Sequence, residues 1–256
     1  PMFKVSPTRL VNISILLSSF LASQESFREP PISLLPFLQV YVNLTHVRFF
    51  CYHACVIPRF CISIFVTDSY IRIMIITYYG KQFFKVQFGD TVIALNPIGK
   101  DSKLKGARFG ADIAVVSLHH PDFSGIDAVT YGDKKPFAVT GPGEYEIGGV
   151  LIRGFLTPSQ YDKEQRLNTV YVVELEGIKL CFLGQLHTPE LSEKTREALD
   201  GIDILFVPVG GGETLNPAEA HKLATKMEPH SIIPMDYDDT SLKEFLKEAG
   251  KSPKPE

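Results

Sequence analysis

The sequence predicts an α/β chain of two stacked sheets with helices outside. Three observations predict it. Short apolar strands punctuated by Gly and Asp fill the middle of the chain, helical periodicity is confined to its last part, and two buried strands lie between and before those helices. Strands are expected at 75–79, 83–88, 92–95, 113–116, 137–140, 150–153, 170–174 and 178–182. Phe88-Gly89-Asp90-Thr91 and Glu176-Gly177 read as hairpin turns between neighbours. Further on, Asn216 before Pro217, with Glu219 three positions along, is an N-cap signature, and Ala220, Leu223, Ala224 and Met227 follow at helical spacing. Ser241 and Glu244 are read as the capping box of a last helix carrying Leu242, Phe245, Leu246 and Ala249, with Gly250 as its stop. The strands 204–207 and 231–233 are each expected to end at the Pro that follows, because Pro donates nothing to a ladder.

Bulk properties narrow the function. A chain of 256 residues, 45% hydrophobic and 21% charged, can bury a full core. Its net charge of -3, with no basic run, argues against nucleic-acid binding, which needs clustered Lys and Arg. A small-molecule partner and cytoplasmic residence are the expectation, and the sequence sets no oligomeric state. Composition changes near residue 73: residues 1–73 carry 6 Lys or Arg against 3 Asp or Glu, leaving 20 against 26 for the rest. Cys51, Cys55 and Cys61, with His46 and His53, fit no standard zinc spacing and no disulfide framework. Lys4 and Arg9 before an apolar stretch imitate a signal peptide, but the cleavage site is poor and no apolar run reaches the roughly 20 residues of a spanning helix. Membrane attachment is therefore not expected.

The residues that carry chemistry lie in ordered blocks. Ala111 to Phe123 reads Ala-Asp-Ile-Ala-Val-Val-Ser-Leu-His-His-Pro-Asp-Phe, a buried strand running into a loop with His119, His120 and Asp122. Around it stand Met74 to Gly80, a strand ending in a Gly turn, and Val92 to Pro97. Then come Gly141-Pro142-Gly143-Glu144-Tyr145-Glu146, Asn168-Thr169-Val170-Tyr171, Phe182-Leu183-Gly184-Gln185, Val207-Pro208-Val209-Gly210-Gly211 and Ile233-Pro234-Met235-Asp236-Tyr237. In this order, from Met74 to about Gly250, they resemble the metallo-β-lactamase superfamily, in its lactonase-like branch that includes relatives of L-ascorbate 6-phosphate lactonase. The resemblance implies a four-layered αββα sandwich with the site at one edge between the sheets. It also implies hydrolysis of small esters, lactones or phosphorylated metabolites at a dinuclear metal centre.

At several blocks this chain departs from the pattern. The superfamily loop Ser-His-x-His-x-Asp-His aligns on Ser117, placing Leu118 and Phe123 where the first and last His would stand, and neither has a lone pair for a metal. Lys81 follows Gly80 in place of His, Asn96 precedes Pro97 in place of Asp, Gln185 replaces the bridging carboxylate, and Asp236 replaces the closing His. His120, Asp122 and Asp236 survive as candidate metal ligands, with Asp122 as ligand or general base. Lys81, His119, Gln185 and His187 are expected to line the site. Such a set suits one divalent transition metal, zinc, manganese or iron, or none.

Two function classes remain open: a metal-dependent hydrolase, and a non-catalytic binding or assembly scaffold derived from it. A membrane-tethered protein would need residues 10–66 to be native. The chain opens on Pro1 and the resemblance begins at Met74, a natural initiator. Residues 1–73 are accordingly read as upstream translation or an accessory segment, 74–250 as the domain, and 251–256 as a disordered tail. Lesser signals are read structurally: Gly141-Pro142-Gly143 as a turn, Val209 to Gly212 as a loop letting the backbone pass close to the site, and Cys181 as a small hydrophobe in a strand.

Overall fold

The computed structural model describes residues 73–250, together with the backbone of a strand at 38–43. Two six-stranded sheets run through it. The first contains, in spatial and chain order, β1 (Leu38–Asn43), β2 (Ile73–Tyr78), β3 (Phe84–Phe88), β4 (Thr91–Leu95), β5 (Ile113–Val115) and β6 (Phe137–Val139). β1 to β4 pair antiparallel, and β4, β5 and β6 pair parallel. The second contains β7 (Gly143–Ile147), β8 (Val150–Tyr161), β9 (Glu164–Leu175), β10 (Ile178–Phe182), β11 (Ile204–Pro208) and β12 (Ser231–Met235), antiparallel up to β10 and parallel beyond.

Between the sheets lies the main core. Met74, Phe84, Ile93, Val115, Ile152, Tyr171, Phe182 and Phe206 are buried there together, each large side chain stabilising the fold by about 1.5–3 kcal/mol. The other face of the second sheet buries Val172, Cys181, Leu205 and Val207 under α1 (Glu193–Ala198), α2 (Pro217–Met227) and α3 (Asp239–Gly250), through Leu199, Ala220, Leu223, Ala224 and Phe245. On the outer face of the first sheet, Ala94 and Ala114 pack with Phe83, Ile98, Ala111 and Val129, the last from a 3-10 turn at Ile126–Val129. The expected layering is observed, with that face covered by irregular chain more than by helix.

Local signals explain most elements. The turns Gly89-Asp90 and Glu176-Gly177 each join paired strands, and Glu176 and Gly177 take the positive φ of 52° and 80° that a tight hairpin demands. Asn216 accepts from Glu219 N at 2.9 Å while the Glu219 carboxylate accepts from Asn216 N at 3.1 Å, the reciprocal box expected for α2. The cap of α3 sits three residues earlier than expected. Asp238 Oδ1 accepts from the backbone of Thr240 and Ser241, and the Ser241 hydroxyl accepts from Asp238 N. A carboxylate at the first turn also complements the helix dipole, which gives Asp238 the advantage.

Two expectations need correction. Pro234 does not end its strand, since it pairs with Val207 and β12 runs on to Met235, whereas β11 does end at Pro208. β12 is an edge strand, so the missing N–H of Pro234 faces away from a partner. β7 and the long β8–β9 hairpin, which pairs Thr157 with Asn168 and Tyr161 with Glu164, extend well past the segments expected from sequence. Tyr161 lies at the tip that results. Burial pushes the Cys181 thiol well above its ordinary range, consistent with an inert strand residue. No helix among the described residues is long and apolar enough to cross a membrane. Cys51, Cys55, Cys61, His46, His53, the apolar runs before residue 67 and the tail 251–256 lie outside the described residues.

Every described core residue comes from Met74 onward. Deleting residues 1–73 removes the ladder of β1 but no buried side chain of that core. A single cooperative thermal transition should persist, its midpoint lowered by no more than about 4 °C. Loss of cooperativity in calorimetry would show that the edge pairing of β1 is needed for folding.

Candidate functional site

The candidate residues emerge where strands of both sheets end. Lys81 and Gln82 follow β2, Asn96 follows β4, Ser117 to Asp122 follow β5, Tyr161 and Asp162 cap the β8–β9 hairpin, Gln185 follows β10 and Asp236 follows β12. Backbone bonds hold the edges together. Asp236 N donates to Lys81 O at 2.7 Å, joining the last strand of one sheet to a turn of the other, and Thr169 N donates to Ser117 O at 2.8 Å. Lys81, Asn96 and Asp236 all adopt left-handed backbone, with φ of 53°, 44° and 54°. Such strain persists only where the surroundings enforce it, and it clusters at functional sites.

Close approach governs the glycines nearby. A Cβ on Gly184 would lie 2.5 Å from Asn168 Oδ1 and from the Ser117 side chain, and one on Gly210 would lie 2.2 Å from Asp236 O. The Val209 to Gly212 segment therefore passes close to the site, as its sequence suggested. Glu144 is exposed on β7 and outside the cleft network.

Beneath the cleft lies a closed amide network. Gln82, fully buried, donates from Nε2 to Gln185 Oε1 at 2.6 Å and to Asp236 Oδ2 at 2.9 Å. Its Oε1 accepts from Asn96 Nδ2 at 2.9 Å, and that same nitrogen donates to Ser117 Oγ at 2.8 Å while Asn96 Oδ1 accepts from Ser117 N. Asn168 holds the Gln185 backbone N–H at 2.9 Å and donates to Leu183 O. Among the described residues no buried side-chain nitrogen or oxygen lacks a partner. Lys81 completes the network: its Nζ stands 2.6 Å from Asp236 Oδ1 and 5.5 Å from the Tyr161 ring centroid, within cation-π range.

A second group forms around Tyr161. Its hydroxyl donates to Asp122 Oδ2 at 2.5 Å, and Ser102 donates to Asp122 Oδ1. His120 Nδ1 accepts from Asp122 N at 3.2 Å, and its Nε2 lies 3.3 Å from Asp162 Oδ2. Burial alone would raise the Asp122 carboxyl; the Ser102 and Tyr161 hydrogen bonds, with the electrostatic influence of His120 and Lys81, outweigh it and hold the group below its usual range. Each Asp122 oxygen thus accepts one hydrogen bond, and the lowered pKa makes the carboxylate a weaker base. Leu118 and Phe123 are buried with Tyr161 in a separate apolar cluster, the Phe123 and Tyr161 rings 4.9 Å apart edge to face.

The remaining expected residues lie farther out. His119 is exposed, and its carbonyl accepts from Arg166 Nη1 at 3.3 Å. His187 bonds Glu213 O and faces an open groove of about 410 Å³ with Ser159, Gln160, Gln165, Arg166 and Thr188. The groove abuts the network, since Ser159 Oγ donates to Gln185 O at 2.5 Å. Gln82, Tyr161, Asp162 and Ser102 have no motif signal in the sequence. Only the turn after Gly80 and the acidic tip of a long hairpin could have drawn attention to them.

The arrangement does not fit the dinuclear metal centre that the resemblance implies. Among the described residues no three His, Cys, Asp or Glu side chains are grouped to hold an ion. Of the expected ligands, Asp236 is committed to Lys81 and Gln82, and Asp122 to Ser102 and Tyr161. Two ligand positions of the loop carry hydrocarbon packed against Tyr161.

Replacing Tyr161 by Phe removes one hydrogen bond to a carboxylate and should cost about 1.5–3 kcal/mol at neutral pH. Because the folded-state pKa of Asp122 is depressed, its contribution is complete above the unfolded value of about 4 and is lost as pH falls through the folded value. Denaturation of both proteins across that range should show the difference narrowing in acid; a difference independent of pH would assign the effect to packing alone.

Comparison with known proteins follows the same outline. Residues 75–236 match the beta-lactamase superfamily domain. A protein of Pyrococcus furiosus named UPF0173 metal-dependent hydrolase is 29% identical over 167 residues, 62% of this chain and 71% of that one. Its namesake from Thermococcus onnurineus is 34% identical over 68 residues, 27% of this chain and 30% of that one, so this match spans less than two thirds of the relative. A crystal structure from Thermotoga maritima, described as a candidate Zn-dependent hydrolase of the metallo-beta-lactamase superfamily, shares 31% identity. It superposes with a TM-score of 0.55 over 68% of this chain and 84% of that one.

Proposed function

The chain belongs to the beta-lactamase superfamily, and on that premise we propose that it binds a small polar molecule of the class its sequence resemblance implies, an ester, lactone or phosphorylated metabolite, without a dinuclear metal centre. One observation carries the reading: the positions that resemble metal-ligand positions are taken by Leu118 and Phe123 packed on Tyr161, and by Lys81 paired with Asp236. Ligand binding needs a concave surface with a few fixed polar groups, and the groove beside Gln185 supplies them. Its volume lies within the range of about 300–1,000 Å³ that small-molecule sites occupy. Arg166 and His187 orient polar groups of a ligand there, with the amides of Gln160 and Gln165 as further donors and acceptors.

The same residues set what the chain does not supply for hydrolysis. A metal-bound hydroxide needs an ion held by several lone pairs, and a metal-free route needs a base with a free lone pair beside the substrate. Asp122 accepts a short hydrogen bond on each oxygen and is held below its ordinary range, so it remains ionised and is a weak base. The similarity to proteins named metal-dependent hydrolases favours a second reading, in which one ion is held by His120, Asp122 and Asp236 after rearrangement.

Elemental analysis of the full chain, purified without chelator and again after incubation with zinc, manganese and iron, separates the two. Well under one ion per chain, with no turnover of a panel of lactones, esters and phosphomonoesters, is the expected result. Near-stoichiometric metal accompanied by turnover would overturn it in favour of the hydrolase.

A further inference from the structure

We infer that Lys81 is the resident cation of the cleft, a tethered ammonium that balances the carboxylate of Asp236 in the place where the superfamily resemblance implies an ion. This deepens the metal-free reading above and rests on it. The geometry is specific to the pair. Lys81 Nζ lies 2.6 Å from Asp236 Oδ1, Gln82 holds Oδ2, and the Lys81 carbonyl accepts both Asp236 N at 2.7 Å and the Tyr78 hydroxyl at 3.0 Å. Side chain and main chain of residues 81 and 82 thus grip Asp236 at three points, and both partners sit in strained left-handed backbone that fixes their direction.

The surrounding charges favour this role. Asp236 and Asp122 are largely shielded from water, with 10% and 14% of their side chains exposed, and Asp162 faces His120 from the hairpin tip. Carboxylates shielded from water require a counter-charge. The ammonium of Lys81 acts on Asp122 as well as on Asp236, and the Tyr161 ring lies beneath it. A divalent ion approaching Asp236 would have to displace or oppose a fixed positive charge already in contact with that carboxylate. Lys81 alone therefore excludes an inorganic cation, independently of the ligands lost at Leu118, Phe123 and Gln185.

Chemical rescue in the full chain tests this. Lys81→Ala removes the ammonium and its stem, and should lower the melting temperature. Butylammonium chloride should then raise the melting temperature of Lys81→Ala by about 2–4 °C, as expected for a ligand at several times its Kd on a domain of this size, and leave wild type and Lys81→Ala/Asp236→Asn unmoved. Potassium chloride at equal ionic strength controls for screening. The double variant, with neither charge, should melt above Lys81→Ala. If Lys81→Ala does not fold, recovery of folding in the double variant carries the same conclusion. No rescue of a folded Lys81→Ala, or a double variant no more stable than the single one, overturns the inference. Stoichiometric zinc on the wild-type chain would instead overturn the metal-free reading, so the two failures are distinguishable.

Discussion

Buried amides at the open edge of a sandwich must find partners within the chain, and much of the cleft follows from how Gln82 meets that requirement. One side chain, with three hydrogen bonds, ties the turn after β2 to Asn96 after β4, Gln185 after β10 and Asp236 after β12. It thereby couples both sheets at the point where no strand continues. An apolar side chain there would orphan several polar groups, each costing about 1–3 kcal/mol. The network gives the strand ends of both sheets a common centre.

The fold was legible because its causes are local. Hairpin turns at Gly89-Asp90 and Glu176-Gly177, and the Asn216 to Glu219 box, are chemistry within four residues. The misreadings have tertiary causes. Pro234 looked like a strand stop, yet β12 lies at an edge where a missing donor is harmless. The β8–β9 hairpin runs well beyond its apolar centre because Thr157, Ser159 and Asn168 are buried polar residues satisfied across the hairpin and by Gln185 beyond it, which no periodicity records. Asp238 outcompeted Ser241 as a cap because the two share one reciprocal motif whose register the sequence leaves open.

The site was legible in its departures from the resembled pattern more than in the contacts that fill it. Leu118 and Phe123 show by residue type alone that no lone pair stands at their positions, and Gln185 that no carboxylate stands at its own. What took their place could not be read the same way. Tyr161, many residues from the loop, packs on Leu118 and Phe123 and donates to Asp122. Gln82 follows Lys81 in a turn without periodicity. Lys81 itself was expected at the wall; that its ammonium reaches Asp236 depends on a backbone bond between two sheets.

Lys81, Asn96 and Asp236 share a torsional history as well as a cleft. A left-handed backbone penalises β-branched side chains most, and accepts Gly, Asn and Asp at least cost. Genetic drift at these positions is consequently filtered by dihedral angle before charge is weighed at all. Valine, isoleucine and threonine are disfavoured, while short polar residues pass freely. The cleft edge is thus kept polar by its own scaffold, and the substitutions open at the same three positions stay within short polar chemistry.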